Sequence, residues 1–375
     1  MPLGQESLIQ RVLDSEGAMR RERRAGQFGF KRRRDRARIG GLSRRQDPGR
    51  ASEAQIAALN ELRADPTTPE ARLQLSRALS GKSNHVAAKA ARIVGEAELQ
   101  ALEPELVRAF HRFLVEPLKS DKGCAAKTAM AQALADMRCP AEEVFLAGIR
   151  HIQRESTWGG AVDTAGELRA ACGMGLACMG YRQVFEELVP LLVDPEPAAR
   201  AGAARAIACA EGSEGALLLR LKILHGDPEP SVIGECFAAL LAMEPQKSLS
   251  FVAGFLDSAE AAIPEAAAMA LGGSRALAAF ETLRKRWEKG ASGDFRSALL
   301  LGIALIRQEP ALQFLLGLIT DRDTTTAGDA VTALAIYRED EQIRSRVAAA
   351  VAEKPDLRET FERRFGAVVR RFTKN

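Results

Sequence analysis

One helix-starting phrase recurs along this chain and limits what it can fold into. It is clearest at residues 194–207, which read Asp-Pro-Glu-Pro-Ala-Ala-Arg-Ala-Gly-Ala-Ala-Arg-Ala-Ile. The Asp carboxylate can accept the free N–H groups of a first helical turn. Pro is tolerated there because an N–H at that position would have no partner. Residues 227–240 are a second copy and 257–271 a third, with later copies at 290–305 and 323–336. Upstream copies lie at 83–94 and 121–134, and a weaker one at 157–168. Starts at 83, 121, 157, 194, 227, 257, 290 and 323 are spaced by 30 to 38 residues. Second amphipathic segments fill the intervals, as at 181–193, 215–224, 248–256, 276–289 and 310–320. A two-helix unit of this length cannot bury its apolar side alone and must stack on its neighbours. Residues 65–80 read as one further, degenerate inner helix. No stretch alternates with period two over a useful length, so no strands are expected.

Composition fits a stack. The chain has 375 residues, more than one compact core accommodates, so it must divide or repeat. Aromatics are only 5% against 46% apolar residues, so the core must be built from Ala, Leu, Ile and Val. Ala combines the best helix propensity with close approach between helix axes.

The unit resembles the HEAT-like repeat superfamily, in the version often named for phycobilisome lyases. The matching residues are the Asp194-Pro195 start, Arg200 six positions on, and Ala203, Ala206 and Ile207 beyond it. The resemblance covers about residues 65–340. It implies an all-α fold, a right-handed α-solenoid of about eight or nine HEAT-like two-helix repeats. It also implies a ladder of Asp and Arg side chains between repeats. Arg200 and Arg296 match the basic position, Lys89 and Lys127 substitute for it, and Ile233, Ile263, Asp163 and Asp329 depart from it. The solenoid is expected over residues 51–375, closed by a capping helix at about 357–372, where Phe361, Phe365, Val368, Val369 and Phe372 share a face.

Helical phasing from Arg200 places a set of residues on the concave groove of such a stack. Arg205, Phe237, Leu241, Leu271, Leu300 and Tyr337 are the candidate partner-binding residues. The groove so drawn is small, neutral and partly apolar, suited to a helix or extended peptide. It is poorly suited to a duplex, which needs several phosphate-neutralising cations.

Charge is distributed unevenly. Residues 20–50 hold thirteen Arg and Lys against Glu22, Asp35 and Asp47, a net of +10. Residues 1–19 are −2, and the whole chain is +4, which leaves −4 for residues 51–375. Residues 1–50 therefore read as a basic, Arg-rich, largely disordered arm with too few apolar residues to pack. Arg20, Arg21, Arg23, Arg24, Lys31, Arg32, Arg33, Arg34, Arg36 and Arg38 could neutralise the phosphates of a nucleic acid or ribosome, or meet another acidic partner. Phe28 and Phe30 between them could stack on bases.

Enzymatic signals are weak. A deoxyhypusine-hydroxylase-like iron site needs His-Glu pairs, and none of His85, His111, His151 and His225 precedes Glu. An alkylpurine-glycosylase-like site could use Trp158 and Asp163, but the basic groove it requires is absent. Lyase-like activity on a bilin has no residue here in its support. Cys172-Gly-Met-Gly175 lies in a helical pattern and not after a strand, so it is no phosphate loop. The six cysteines form no CxxC pair and lie away from the histidines, so no zinc, other metal or cofactor is expected. They read as small buried residues of a reducing compartment. No apolar stretch reaches about 18 residues, and the first residues hold no apolar signal core. The expectation is a cytoplasmic, noncatalytic scaffold with a protein partner and no small-molecule substrate, with nucleic-acid binding through the arm as the alternative.

Overall fold

The computed structural model describes residues 48–260 and 262–366. The basic arm lies outside them up to residue 47, as do Val368, Val369 and Phe372 of the expected capping helix. The described residues form twenty α-helices and one β-hairpin. They divide into two compact units, and the division falls between Val232 and Ile233.

The first unit opens with α1 (Pro48–Leu62), α2 (Pro69–Ser80), α3 (Asn84–Glu96) and α4 (Glu103–Leu114). A short α5 (Pro117–Ser120), α6 (Ala125–Asp136) and α7 (Glu142–Ile149) follow. Strands β1 (Arg154–Thr157) and β2 (Gly160–Asp163) lead into α8 (Gly166–Cys178), α9 (Val184–Leu191), α10 (Pro197–Cys209) and α11 (Glu214–His225). Helices α3, α6, α8 and α10 form one continuous row, each packed on the next. The row is built on Ala: Ala87, Ala90, Ala91, Ala126, Ala131, Ala199, Ala203, Ala204 and Ala206 are sealed from solvent. Small residues are obligatory where axes come closest. A Cβ on Gly202 would sit 2.2 Å from the Ala170 Cβ, and one on Gly95 2.9 Å from the Ala133 Cα. The other helix of each pair lies against this row and supplies bulkier anchors, such as Leu75, Leu106, Phe110, Leu188 and Leu219.

The division falls inside α12 (Pro230–Met243). The second unit continues with α13 (Pro245–Ala253), α14 (Ala262–Gly273), α15 (Leu277–Glu288), α16 (Gly293–Leu305), α17 (Glu309–Asp321), α18 (Thr324–Leu334), α19 (Glu341–Ala352) and α20 (Arg358–Phe365). Here α14, α16, α18 and α20 pack in sequence. A Cβ on Gly272 would lie 2.2 Å from the Gly302 carbonyl oxygen, so α14 and α16 meet backbone to backbone. Phe361 and Phe365 of α20 stack at 4.9 Å and are buried, and α20 packs on α18.

Three expectations need correction. The chain does contain strands: β1 and β2 pair antiparallel from Arg154↔Asp163 to Thr157↔Gly160, around a Trp158-Gly159 turn. Four-residue strands exposed on both sides carry no apolar alternation to detect. The repeat start placed at 157 therefore belongs to this hairpin, and the true start is Asp163. Residues 65–80 are not an inner helix, because α2 packs on α3 and α4, while α1 is the helix that packs on α3 from the row's own side.

Candidate functional site: the buried ladder and an exposed apolar groove

Four repeat starts share one turn. One carboxylate oxygen accepts an N–H two residues on: Asp163 from Ala165 at 3.0 Å, Asp194 from Glu196 at 2.8 Å, Asp227 from Glu229 at 2.9 Å and Asp323 from Thr325 at 3.0 Å. This Asx turn sets the direction of the following helix. At Asp163, Asp194 and Asp227 the same carboxylate also takes a cation, six residues along its own helix or from the preceding repeat, whereas Asp323 takes the Thr326 hydroxyl at 2.7 Å. Arg169 spans Asp163 at 2.8 Å and Asp194 at 2.7 Å. Arg200 holds Asp227 with two bonds, at 2.7 and 2.8 Å, and Lys222 adds a third at 2.7 Å. Lys127 binds Asp121 at 3.0 Å with both side chains fully buried.

Corrected to a start at Asp163, the basic position of that repeat is Arg169, so Asp163 is no departure from the ladder. Asp329, which does replace a basic residue, instead forms an ion pair with Arg296 at 2.5 Å. Burial pushes Asp227 upward, but the bonds from Arg200 and Lys222 outweigh it and hold its carboxyl at about 2. The Asp227 bond also raises Arg200.

A second polar cluster ties the hairpin to this ladder. Gln153 accepts from Lys127 Nζ at 3.0 Å and from Cys124 Sγ at 3.2 Å, and donates to Glu155 at 2.7 Å and to the Asp121 carbonyl at 2.8 Å. Glu155 also accepts from Thr164 at 2.9 Å and from the Gly123 N–H at 2.6 Å. Burial pushes the Cys124 thiol up to about 11, so it stays protonated and is a poor nucleophile. This cluster and the ladder pairs at Asp121, Asp163, Asp194 and Asp227 are charge networks whose groups already have partners within the unit. Among the described residues no group of three or more His, Cys, Asp and Glu side chains is arranged to hold a metal.

The expected groove residues lie elsewhere than on an open face. Phe237, Leu241, Leu271, Leu300 and Tyr337 are buried, and the Tyr337 hydroxyl donates to the Ala304 carbonyl at 2.5 Å. Of the six only Arg205 is exposed. Ala on both sides of these helices leaves little contrast between core and surface, so helical phasing from Arg200 points to the packing side. Trp158 is fully exposed at the hairpin tip, whereas Asp163 stands at its base, bound to Arg169. Four residues of strand, about 13 Å, separate them, too far for one catalytic cleft.

The open apolar surface lies between α9 and α11. Phe185, Val189 and Pro190 of α9 face Leu217, Leu218 and Leu221 of α11 across a groove of about 670 Å³. Leu217, Leu221 and Leu224 are 70%, 65% and 70% exposed, and Val193 beyond α9 is 73% exposed. Glu186 and Glu214 stand on the rim. The sequence held a signal for this site. Residues 216–224 are apolar at all but two positions, an excess over what one buried helix face requires.

No protein-family model matches the chain, and no curated protein matches it. Solved structures similar to it include the complex of CpcE and CpcF of phycocyanin lyase from Nostoc sp. PCC7120. That likeness is at 18% identity, covers 64% of this chain and 91% of that one, and has a TM-score of 0.35. Human deoxyhypusine hydroxylase in complex with glycerol is similar at 15% identity over 78% of this chain and 99% of that one, with a TM-score of 0.24. Such values transfer no activity.

Proposed function

We propose that the chain is a noncatalytic helical-repeat scaffold that holds a segment of a protein partner. The observation that carries this reading is the apolar groove between α9 and α11. Contiguous exposed leucines and valines on a folded surface mark an interaction site. The satisfied ladder supports the same reading, since its charges serve to join repeats. The partner surface is thus the α9–α11 face and not the groove drawn from Phe237 and Leu241. No helix among the described residues is long and apolar enough to cross a membrane. The six free cysteines support a reducing, cytoplasmic setting. The test is affinity capture followed by direct binding of the purified partner to wild type and to Leu217→Glu/Leu221→Glu. Binding lost with the helical circular dichroism intact supports the scaffold; binding unchanged refutes this surface.

A second reading rests on the arm. Thirteen cations within residues 20–50, with Phe28 and Phe30 among them, support binding to RNA or DNA. Mixed-sequence oligonucleotides titrated at rising salt test it. Binding that weakens steeply with salt and vanishes on deleting residues 1–50 supports it. No binding by the full chain at low salt removes it.

A further inference from the structure

Helix α11 is apolar on two sides. Gly215, Ala216, Leu219 and Ile223 point into the unit and are buried. Leu217, Leu221 and Leu224 point away and are exposed. A helix that is apolar all round is ordinarily covered all round. The outward leucines are spaced by four and then three residues, the seam that receives the side chains of a second helix. Val189 and Val193 beside them are four apart and widen the seam into a two-helix groove. Twelve residues of α11 give a track of about 18 Å, three helical turns. Neither α9 nor α11 offers a strand edge, so an extended peptide would find no ladder to join.

Charge selects among helices. Glu186 and Glu214, at the end of the groove where α11 begins, have no ion pair among the described residues. Their neighbour Glu187 is taken by Arg150, and of the two cations within α11, Arg220 and Lys222, the second is held on Asp227. A second copy of this chain would bring the same acidic rim to the contact, as an isologous pair repeats one patch on both sides. We infer that the groove takes one amphipathic helix of about three turns from a protein partner. Its apolar side chains recur at i, i+3 or i+4 and i+7, and Lys or Arg flanks the end that lies over Glu186 and Glu214. This inference rests on the scaffold reading above and specifies its ligand.

Two fluorescein-labelled peptides test it on the full-length protein by anisotropy. One is an amphipathic helix with leucine anchors and a Lys/Arg-rich end; its twin carries Glu in place of those cations. At low salt the cationic peptide should bind about ten-fold more tightly than its twin, from two exposed pairs gained and two repulsions avoided. Glu186→Lys/Glu214→Lys should reverse the order, and Leu217→Glu/Leu221→Glu should abolish binding of both. Equal affinity for the two peptides, lost in the leucine variant, overturns the charged-end helix and leaves the scaffold groove standing. Binding that survives the leucine variant overturns both. A dimer in light scattering that Leu221→Glu converts to monomer assigns the groove to a second copy and overturns the inference as well.

Discussion

Asp227→Asn is the sharpest test of whether the ladder joins repeats. The Asp227 side chain is inaccessible to solvent, and it meets Arg200 and Lys222 at 2.7 Å each. Its carboxyl is held at about 2 against an ordinary 3.8. That depression corresponds to roughly 2 kcal/mol of stability at neutral pH. Asn still accepts the Glu229 N–H but leaves two cations facing an amide, which brings the expected loss to about 3 kcal/mol. In a unit of this size that lowers the melting temperature by about 6–12 °C.

The folded-state value is depressed, so the contribution is complete above the unfolded value and is lost as pH falls from 3.8 towards 2. The difference between wild type and variant should be constant from pH 7 to about 5, and about half of the carboxylate's share should remain near pH 3. Urea denaturation followed by circular dichroism across this range measures it. Because each repeat contacts mainly its neighbours, amide exchange should accelerate in α10 and α11 and not in α3. A loss below about 1 kcal/mol at pH 7, or a difference unchanged between pH 7 and pH 3, would refute the assignment of this carboxylate as a strong joint.

Three further outcomes follow from packing. Phe237→Ala should cost about 3–5 kcal/mol, whereas Leu221→Ala, on the open face, should change stability by less than about 0.5 kcal/mol; urea midpoints compare the two. Gly202→Ala should destabilise by about 1–3 kcal/mol, because its new methyl meets the Ala170 Cβ at 2.2 Å, and thermal melts followed by circular dichroism read the loss. Gln153→Ala should cost about 1–3 kcal/mol by removing an acceptor from the buried Lys127 ammonium, and amide exchange in β1 should quicken.

Much of the fold was legible because helix starts and helix faces are local properties. The Asp carboxylate needs only its own next residues to form a turn, so Asp194, Asp227 and Asp323 announced their helices. A spacing of six between Asp and Arg marks Asp194–Arg200, and the same spacing holds for Asp163–Arg169 behind the hairpin. The hairpin itself is not legible, because Arg154–Thr157 and Gly160–Asp163 are short and solvated, without the apolar alternation that identifies a strand.

The site was less legible. The 3.6-residue period says that a helix has faces and not which neighbour covers them. On α10 and α12 small residues surround the axis, so helical phase alone does not separate core from surface, and Phe237 and Leu241 belong within. On α11 leucine occupies both sides, so the sequence by itself determined an amphipathic partner helix and no more. Burial depends on the sum of contacts from residues distant in sequence. Only tertiary packing decided that Leu219 and Ile223 face inward while Leu217, Leu221 and Leu224 stay open to solvent.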